Sequence, residues 1–359
     1  MRRAFWVILI LALLGAGAWF AVAWRLPYQG FASPGVYVEI PHGAPLRTIA
    51  RLLEENGVVR SRFAFEALAR LRHRRTLQAG EYYFDRPERQ AEVFETIASG
   101  RVYTVRLVVP EGFDMFAIAD LAAHEGFLTR EDFLAAARDP TPILDLAPAA
   151  PSLEGFLAPA TYEFPRHITG VEMVQTMVKR FRQVWTAMAA SEGGPPQDVQ
   201  AVVTLASLVE RETPQESERP LIAGVFRNRL HRGIPLECDP TVIYALELAG
   251  RYSGALGAAD MRFASPYNTY VNKGLPPGPI ANPGEASLRA AFAPQGTHYL
   301  YFVADTLGGH SFSKTLAEHN AQVARYRRLR KQQEKKQLGN APTGKPAAAG
   351  RPSHQRRRP

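Results

Sequence analysis

The chain has a single cysteine, Cys238, in 359 residues. No internal disulfide can form, so an exported body must be held by its core alone. Excess positive charge is missing from most of the chain as well. The formal net charge is +9, yet twelve Lys/Arg and one acid (Glu334) lie from Arg325 onward, so that end carries +11 and everything before it −2. A body without a basic excess lacks the electrostatic footprint of a nucleic-acid-binding domain, and no nucleic-acid partner is expected. Zinc spacing of the H-E-x-x-H kind is absent too. His310, Glu318 and His319 stand in "GGHSFSKTLAEHN" without it, so neither a metal nor a cofactor is expected. What the chain does have is apolar material: 46% hydrophobic residues, with 19 Phe and 13 Tyr, enough for more than one core.

One apolar run is uninterrupted. Ala4–Trp24 holds 21 residues without charge, preceded by Arg2 and Arg3 and followed by Arg25. It exceeds the roughly 7–15 residues of a signal-peptide core, and it is long enough to span a bilayer as a helix. Trp19, Phe20 and Trp24 sit where interfacial anchors belong. The run predicts an uncleaved single-pass anchor over 4–24. Residues 1–3 then remain in the cytoplasm, residues 25–35 form a linker, and the rest of the chain lies on the outer face of the cytoplasmic (inner) membrane.

Beyond the linker the sequence echoes itself. "IPHGAPLRTIARLLEENG" (40–57) aligns with "VPEGFDMFAIADLAAHEG" (109–126), matching Pro41/Pro110, Gly43/Gly112, Ile49/Ile118 and Gly57/Gly126 among others. Each copy follows an alternating apolar stretch and reads as strand, Pro-x-Gly turn, amphipathic helix and glycine stop. Two copies indicate a duplicated α+β region over 36–136 rather than a solenoid. "AGEYYF" (79–84) between them reads as a strand and "AEVFETIASG" (91–100) as a helix. The Pro/Ala-rich stretch 137–152 marks a boundary or a long loop. Residues 153–330 then read as a mainly helical domain, and 338–359 as a disordered basic tail. The fold class is α+β.

"LASLVERETP" (205–214) places Glu210 and Glu212 in the last turn of a helix that Asp198 can cap and Pro214 must end. Two residues apart is about 200° of rotation, so the two carboxylates diverge and cannot flank one bond together. Each follows apolar residues at i−4 and i−7, so periodicity does not choose between them. The negative end of the helix dipole and an apolar wall would raise the pKa of either towards that of a general acid. Asp239, before a proline at the start of an apolar helix, reads as an N-cap. The loop "SPYNTYVNKGLPPGPIANPG" (265–284) is stiffened by five prolines, and Ser265, Tyr267, Asn268 and Tyr270 in it could meet a sugar.

"LASLVERET", "DPTVIYAL", "SPYNTY…KGLPPGPIANPG" and "YLYFVA…GGHSFSKTLAEHN", in this order, closely resemble the YceG-like (MltG) family of endolytic murein transglycosylases, over roughly Tyr37–Tyr326. The resemblance implies a membrane anchor, a LysM-like subdomain near the duplicated units, and a catalytic domain that cuts peptidoglycan glycan strands where peptidoglycan synthases make them. It also implies that the first glutamate of the pair, Glu210, is catalytic, with Glu212 in support. Asp239, Ser265, Tyr267, Asn268 and Tyr270 are the expected substrate contacts. Two alternatives accompany this reading: a non-enzymatic glycan-binding protein on an anchor, and a hydrolase of the same bond using Glu210 with Asp239. The chain departs from the family pattern at Ala158 and Ala160, where an aromatic residue and an acid are usual, and at Cys238, where a small hydroxyl residue is common. The cysteine is expected to have little consequence.

Overall fold

The computed structural model describes residues 24–72, 76–194 and 198–339, with isolated positions before Trp24. Most of the expected anchor therefore lies outside the described residues, among which no helix is long and apolar enough to cross a membrane. The expected tail likewise lies outside them beyond Gly339. The chain forms two compact units, residues 1–187 with 281–284 and residues 188–280 with 285–359.

The first unit runs through the same element order twice. The first pass is β1 (Val36–Ile40), α1 (Leu46–Glu55), α2 (Arg62–Leu71), β2 (Gly80–Phe84) and α3 (Gln90–Ala98). The second is β3 (Val105–Val109), α4 (Met115–His124), α5 (Arg130–Ala137), β4 (Ala160–Phe164) and α6 (Gly170–Ser191). In each pass the two strands pair antiparallel, β1 with β2 and β3 with β4. Alternation decides which side faces inward. Val38, Ile40, Tyr82 and Phe84 are buried on one face of the first pair, and Leu107, Val109, Tyr162 and Phe164 on the corresponding face of the second. Leu53, Phe65 and Phe94 complete the first core, each worth roughly 1.5–3 kcal/mol of apolar burial.

The helix ends coincide between the two passes. Val58 N donates to Leu53 O at 2.8 Å and Phe127 N to Ala122 O at 3.1 Å, the 6→1 bond of a Schellman stop. That stop needs a left-handed residue, supplied by Gly57 at φ 69° and Gly126 at φ 78°. At Gly57 the chain also comes close to itself, since Gly30 N donates to Gly57 O at 2.8 Å.

The proline-rich stretch after α5 is an insertion within the second pass and not a domain boundary. β1 and β3 begin 69 residues apart (36 and 105), as do α1 and α4 (46 and 115), whereas β2 and β4 begin 80 apart (80 and 160). The added chain packs against the unit through Ile143, Ala147, Ala150 and Leu153, all buried. Leu153 N donates to Ala137 O at 2.8 Å, and the Arg182 guanidinium holds both Asp145 and Pro142 O. Ala158 is buried here, its carbonyl accepting the Tyr162 hydroxyl at 2.6 Å, and Ala160 opens β4 opposite Val109.

The second unit is built on α7 (Val199–Glu212), with α8 (Arg219–His231), α9 (Asp239–Leu248) and α10 (Glu285–Phe292) packed against it or one another. A hairpin of β5 (Tyr301–Ala304) and β6 (His310–Ser313) follows, then α11 (Leu316–Gly339). Asp198 caps α7 as expected, accepting Ala201 N at 2.9 Å. Val203, Ala206, Leu208 and Val209 are buried along the helix. So is Ser207, whose Oγ donates to Thr204 O and accepts Ile280 N at 3.0 Å. With Gln200 Nε2 donating to Pro277 O at 2.7 Å, the proline-rich loop is fastened along α7 at two points.

Candidate active site

The helix end separates the two glutamates as their spacing requires. Glu210 lies against α8, where Arg219 Nη2 donates to its Oε1 at 3.0 Å. Both side chains are nearly closed to solvent, at 5% and 6% exposure. Two residues on, Glu212 is half-buried and lines a cavity of about 620 Å³, whose wall also carries Asp239, Tyr270, Arg229, His310 and Tyr301. Glu210 is not among the described residues lining that cavity. The sequence could not tell the two apart, because the difference is made by Arg219 and by the cavity.

Glu212 Oε1 accepts a hydrogen bond from Cys238 Sγ at 3.0 Å, and Oε2 has no hydrogen-bond partner among the described residues. Burial raises the Glu212 pKa above its ordinary 4.5. The nearby Asp239 carboxylate adds to that rise, while the thiol and His310 oppose it. Burial prevails, because no fixed cation is paired with Glu212 as Arg219 is with Glu210.

The opposite wall is built by the turn into α9. Glu237 has φ 52°, a left-handed conformation that is uncommon for a residue with a side chain. It is held there by the ion pair of its carboxylate with Arg229. Arg229 is itself fixed by Pro235 O at 2.8 Å and Leu300 O at 3.1 Å, with Tyr301's ring centroid 5.3 Å from its guanidinium. Cys238, rather than Asp239, occupies the N-cap position of α9. Asp239 is the first helical residue, before Pro240, and its carboxylate accepts the Tyr270 hydroxyl. Burial, reinforced by that bond, pushes the Tyr270 phenol well above its usual pKa, so it stays protonated as a donor.

Of the expected substrate contacts, Asp239 and Tyr270 reach the cavity, whereas Ser265, Tyr267 and Asn268 are not among its described lining residues. Asn268 is fully buried; its amide donates to Met261 O and Phe263 O, and its carbonyl oxygen accepts Tyr270 N at 2.9 Å. It shapes the loop that carries Tyr270. Ser265 Oγ accepts Tyr267 N, and the Tyr267 ring packs 5.1 Å from that of Tyr244.

The sequence reading weighed His310 only as a metal ligand and missed its pairing with Glu218 behind the wall. His310 Nδ1 lies 2.7 Å from Glu218 Oε2, and His310 N donates to Glu218 Oε1 at 2.8 Å. Burial alone would raise the Glu218 pKa, but the bonds from His310 outweigh it and hold it low. These partners are 92 residues apart, and no local pattern announces the pair.

A half-buried carboxyl group with a raised pKa in an aromatic-walled cavity, with hydroxyl and carboxylate groups around it, marks an α+β protein with a candidate acid–base site. Comparison with known proteins narrows it. Residues 38–325 match the YceG-like family, and the chain belongs to that family. An endolytic murein transglycosylase of Bacillus subtilis is 34% identical over 316 residues, covering 84% of this chain and 87% of that protein. One of Streptococcus pneumoniae is 29% identical over 352 residues, covering 89% of this chain and 64% of its own longer length. The crystal structure of a putative yceG-like protein from Listeria monocytogenes superposes with a TM-score of 0.53 at 32% identity, covering 81% of this chain and all of the other.

Proposed function

We propose that this chain is an endolytic murein transglycosylase, a lyase, in which Glu212 rather than Glu210 is the acid–base group. The observation that carries the assignment is the placement of the two carboxylates. Glu212 stands in the cavity wall with a raised pKa, whereas Glu210 is paired with the buried Arg219. A proton held by Glu212 is available to substrate. The Glu210 carboxylate is instead committed to the Arg219 guanidinium beside it.

One such group suffices for the reaction. Protonated Glu212 donates to the oxygen bridging MurNAc and GlcNAc. The bond from that oxygen to MurNAc C1 breaks, its electron pair leaving with the GlcNAc side. The substrate's own N-acetyl group takes up the positive charge at C1. The Glu212 carboxylate then accepts the proton of the MurNAc 6-hydroxyl as its oxygen closes on C1, giving a 1,6-anhydro end and returning the acid to its starting state. No water is consumed. Tyr270, oriented by Asp239, offers a hydroxyl in the same cavity to hold the sugars.

In this reading the paired β-α-α-β units of the first body are LysM-like glycan holders. The run 4–24 is a single-pass anchor in the cytoplasmic membrane, with the catalytic unit outside. There the enzyme cuts nascent strands and ends their elongation beside the synthases that make them. Support for the anchor is the length and flanking charge of the run.

The test is mass spectrometry of the fragments released from uncrosslinked glycan by the full chain in detergent. Internal fragments ending in 1,6-anhydroMurNAc are expected from the parent, and none from Glu212→Gln. Fragments heavier by one water would assign hydrolysis instead, with a second carboxylate such as Asp239 as base. An active Glu212→Gln would remove the assignment of the acid.

A further inference from the structure

We propose that Cys238 is a positioning residue for the reaction, its thiol orienting the Glu212 carboxylate through an S–H···O hydrogen bond; this rests on the reading of Glu212 as the acid. The sequence gives no reason to expect it, since Cys238 there looks like a neutral replacement for a small hydroxyl residue. The geometry gives several.

The thiol is the one hydrogen-bond donor to Glu212 among the described residues, at 3.0 Å to Oε1. It is buried, at 1% exposure, so no solvent competes for that bond from the thiol's side. Its direction is fixed by the backbone. Cys238 N donates to Thr269 Oγ1 at 3.0 Å, and Cys238 O accepts Thr241 Oγ1 at 2.7 Å. The two threonine hydroxyls lie 2.9 Å from each other. The left-handed Glu237, tied to Arg229, sets the turn that leads into Cys238. A core cysteine serving only as filler would need none of this. With Oε1 engaged by the thiol, Oε2 is the oxygen left to face substrate.

The bond also bears on protonation. The thiol's own pKa is pushed well above the ordinary value, by burial first and then by the Glu212 carboxylate, so it remains a donor at any working pH. It favours the charged form of Glu212 and so offsets part of the rise that burial imposes. The other groups around Glu212 are the Asp239 carboxylate on α9, His310 on β6, itself bonded to Glu218, and the Tyr270 hydroxyl from the loop. None of them is a donor to Glu212.

The test compares full-chain parent, Cys238→Ala and Cys238→Ser in the pH dependence of kcat/KM, with circular dichroism and the thermal midpoint as folding controls. Glu212 acts first as an acid, so the alkaline limb marks its loss of the proton. Removing the donor in Cys238→Ala raises the Glu212 pKa and moves that limb up by about half to one pH unit. The hydroxyl of Cys238→Ser, a stronger donor, holds the limb at or below the parent's position and keeps kcat near the parent's. Limbs that coincide in all three, or that move the same way in Ala and Ser, overturn the proposal while Glu212→Gln remains inactive. An active Glu212→Gln would instead overturn the reading beneath it. If Cys238→Ala does not fold, the Ser limb alone decides, because a limb above the parent's contradicts the proposal.

Discussion

Neutralising the two glutamates separately should divide stability from activity. Glu210→Gln removes the carboxylate that is ion-paired with the Arg219 guanidinium, which is 6% exposed. Breaking a buried ion pair from one side costs roughly 3–5 kcal/mol. Unfolding of a unit of 150–250 residues shifts by about 2–4 °C per kcal/mol, so the midpoint should fall on the order of 6–20 °C. Below that transition kcat should drop by less than the ~10²-fold that marks lost acid–base catalysis. Glu212→Gln should do the reverse: kcat falls by about 10²–10⁴-fold or more, because one group serves both proton transfers, while stability holds or rises. The sign follows from linkage. Burial raises the Glu212 pKa above the 4.5 of the unfolded chain, so its contribution to stability is full below that value and lost as pH rises through the folded-state pKa. The Gln variant lacks that loss, so its thermal midpoint should match the parent's near pH 4 and exceed it increasingly towards neutrality. Scanning calorimetry across pH, beside anhydro-end production by mass spectrometry, measures both. A Glu210→Gln protein that is stable but inactive, together with a Glu212→Gln protein that cuts, would refute the reasoning.

Other outcomes follow from single contacts. Gly126→Ala should cost about 1 kcal/mol for its left-handed backbone, and Gly57→Ala distinctly more, because a Cβ there would lie 2.5 Å from Gly30 C; urea unfolding ranks them, and equal losses would contradict it. Asn268→Ala should destabilise the loop, by about 1–3 kcal/mol for the carbonyls it leaves unmet, whereas Tyr270→Phe should leave stability near the parent's and act on KM or kcat; unfolding and kinetics on the same samples separate the two. Ending the chain at Gly339 should leave activity on soluble glycan within about twofold, and a large fall in kcat would show that the basic end reaches the site.

Sequence alone carried the elements whose cause is local. Alternation located β1 and β2 to within a residue, Asp198 and Pro214 bounded α7, and the echo of 40–57 in 109–126 led to two passes with the same helix stops. It gave less where the cause is distant. α2 and α5 went unread, because the echo stops at Gly57 and Gly126, just before each of them begins. The stretch 137–152 read as a boundary or a long loop because proline and alanine mark breaks; four apolar residues spaced through 143–153 bury it in the first unit. At the site, the rotation between Glu210 and Glu212 was readable, but which one met a cation was not, since Arg219 lies on α8 and Cys238 in the turn before α9. Asn268 reads as a sugar contact because it lies with two tyrosines in the proline-stiffened loop; in the structure three backbone groups use its amide.

The burial of Cys238 has a practical consequence. It is the chain's single thiol, and it is closed to aqueous reagents while the second unit is intact. Its rate of labelling therefore becomes a clock on how often the wall of the cavity opens. Tight substrate mimics should slow that clock, and variants that loosen the α9 turn should speed it. New cysteines placed on the surface for spectroscopic probes can be modified in the native protein without first removing the one that is there.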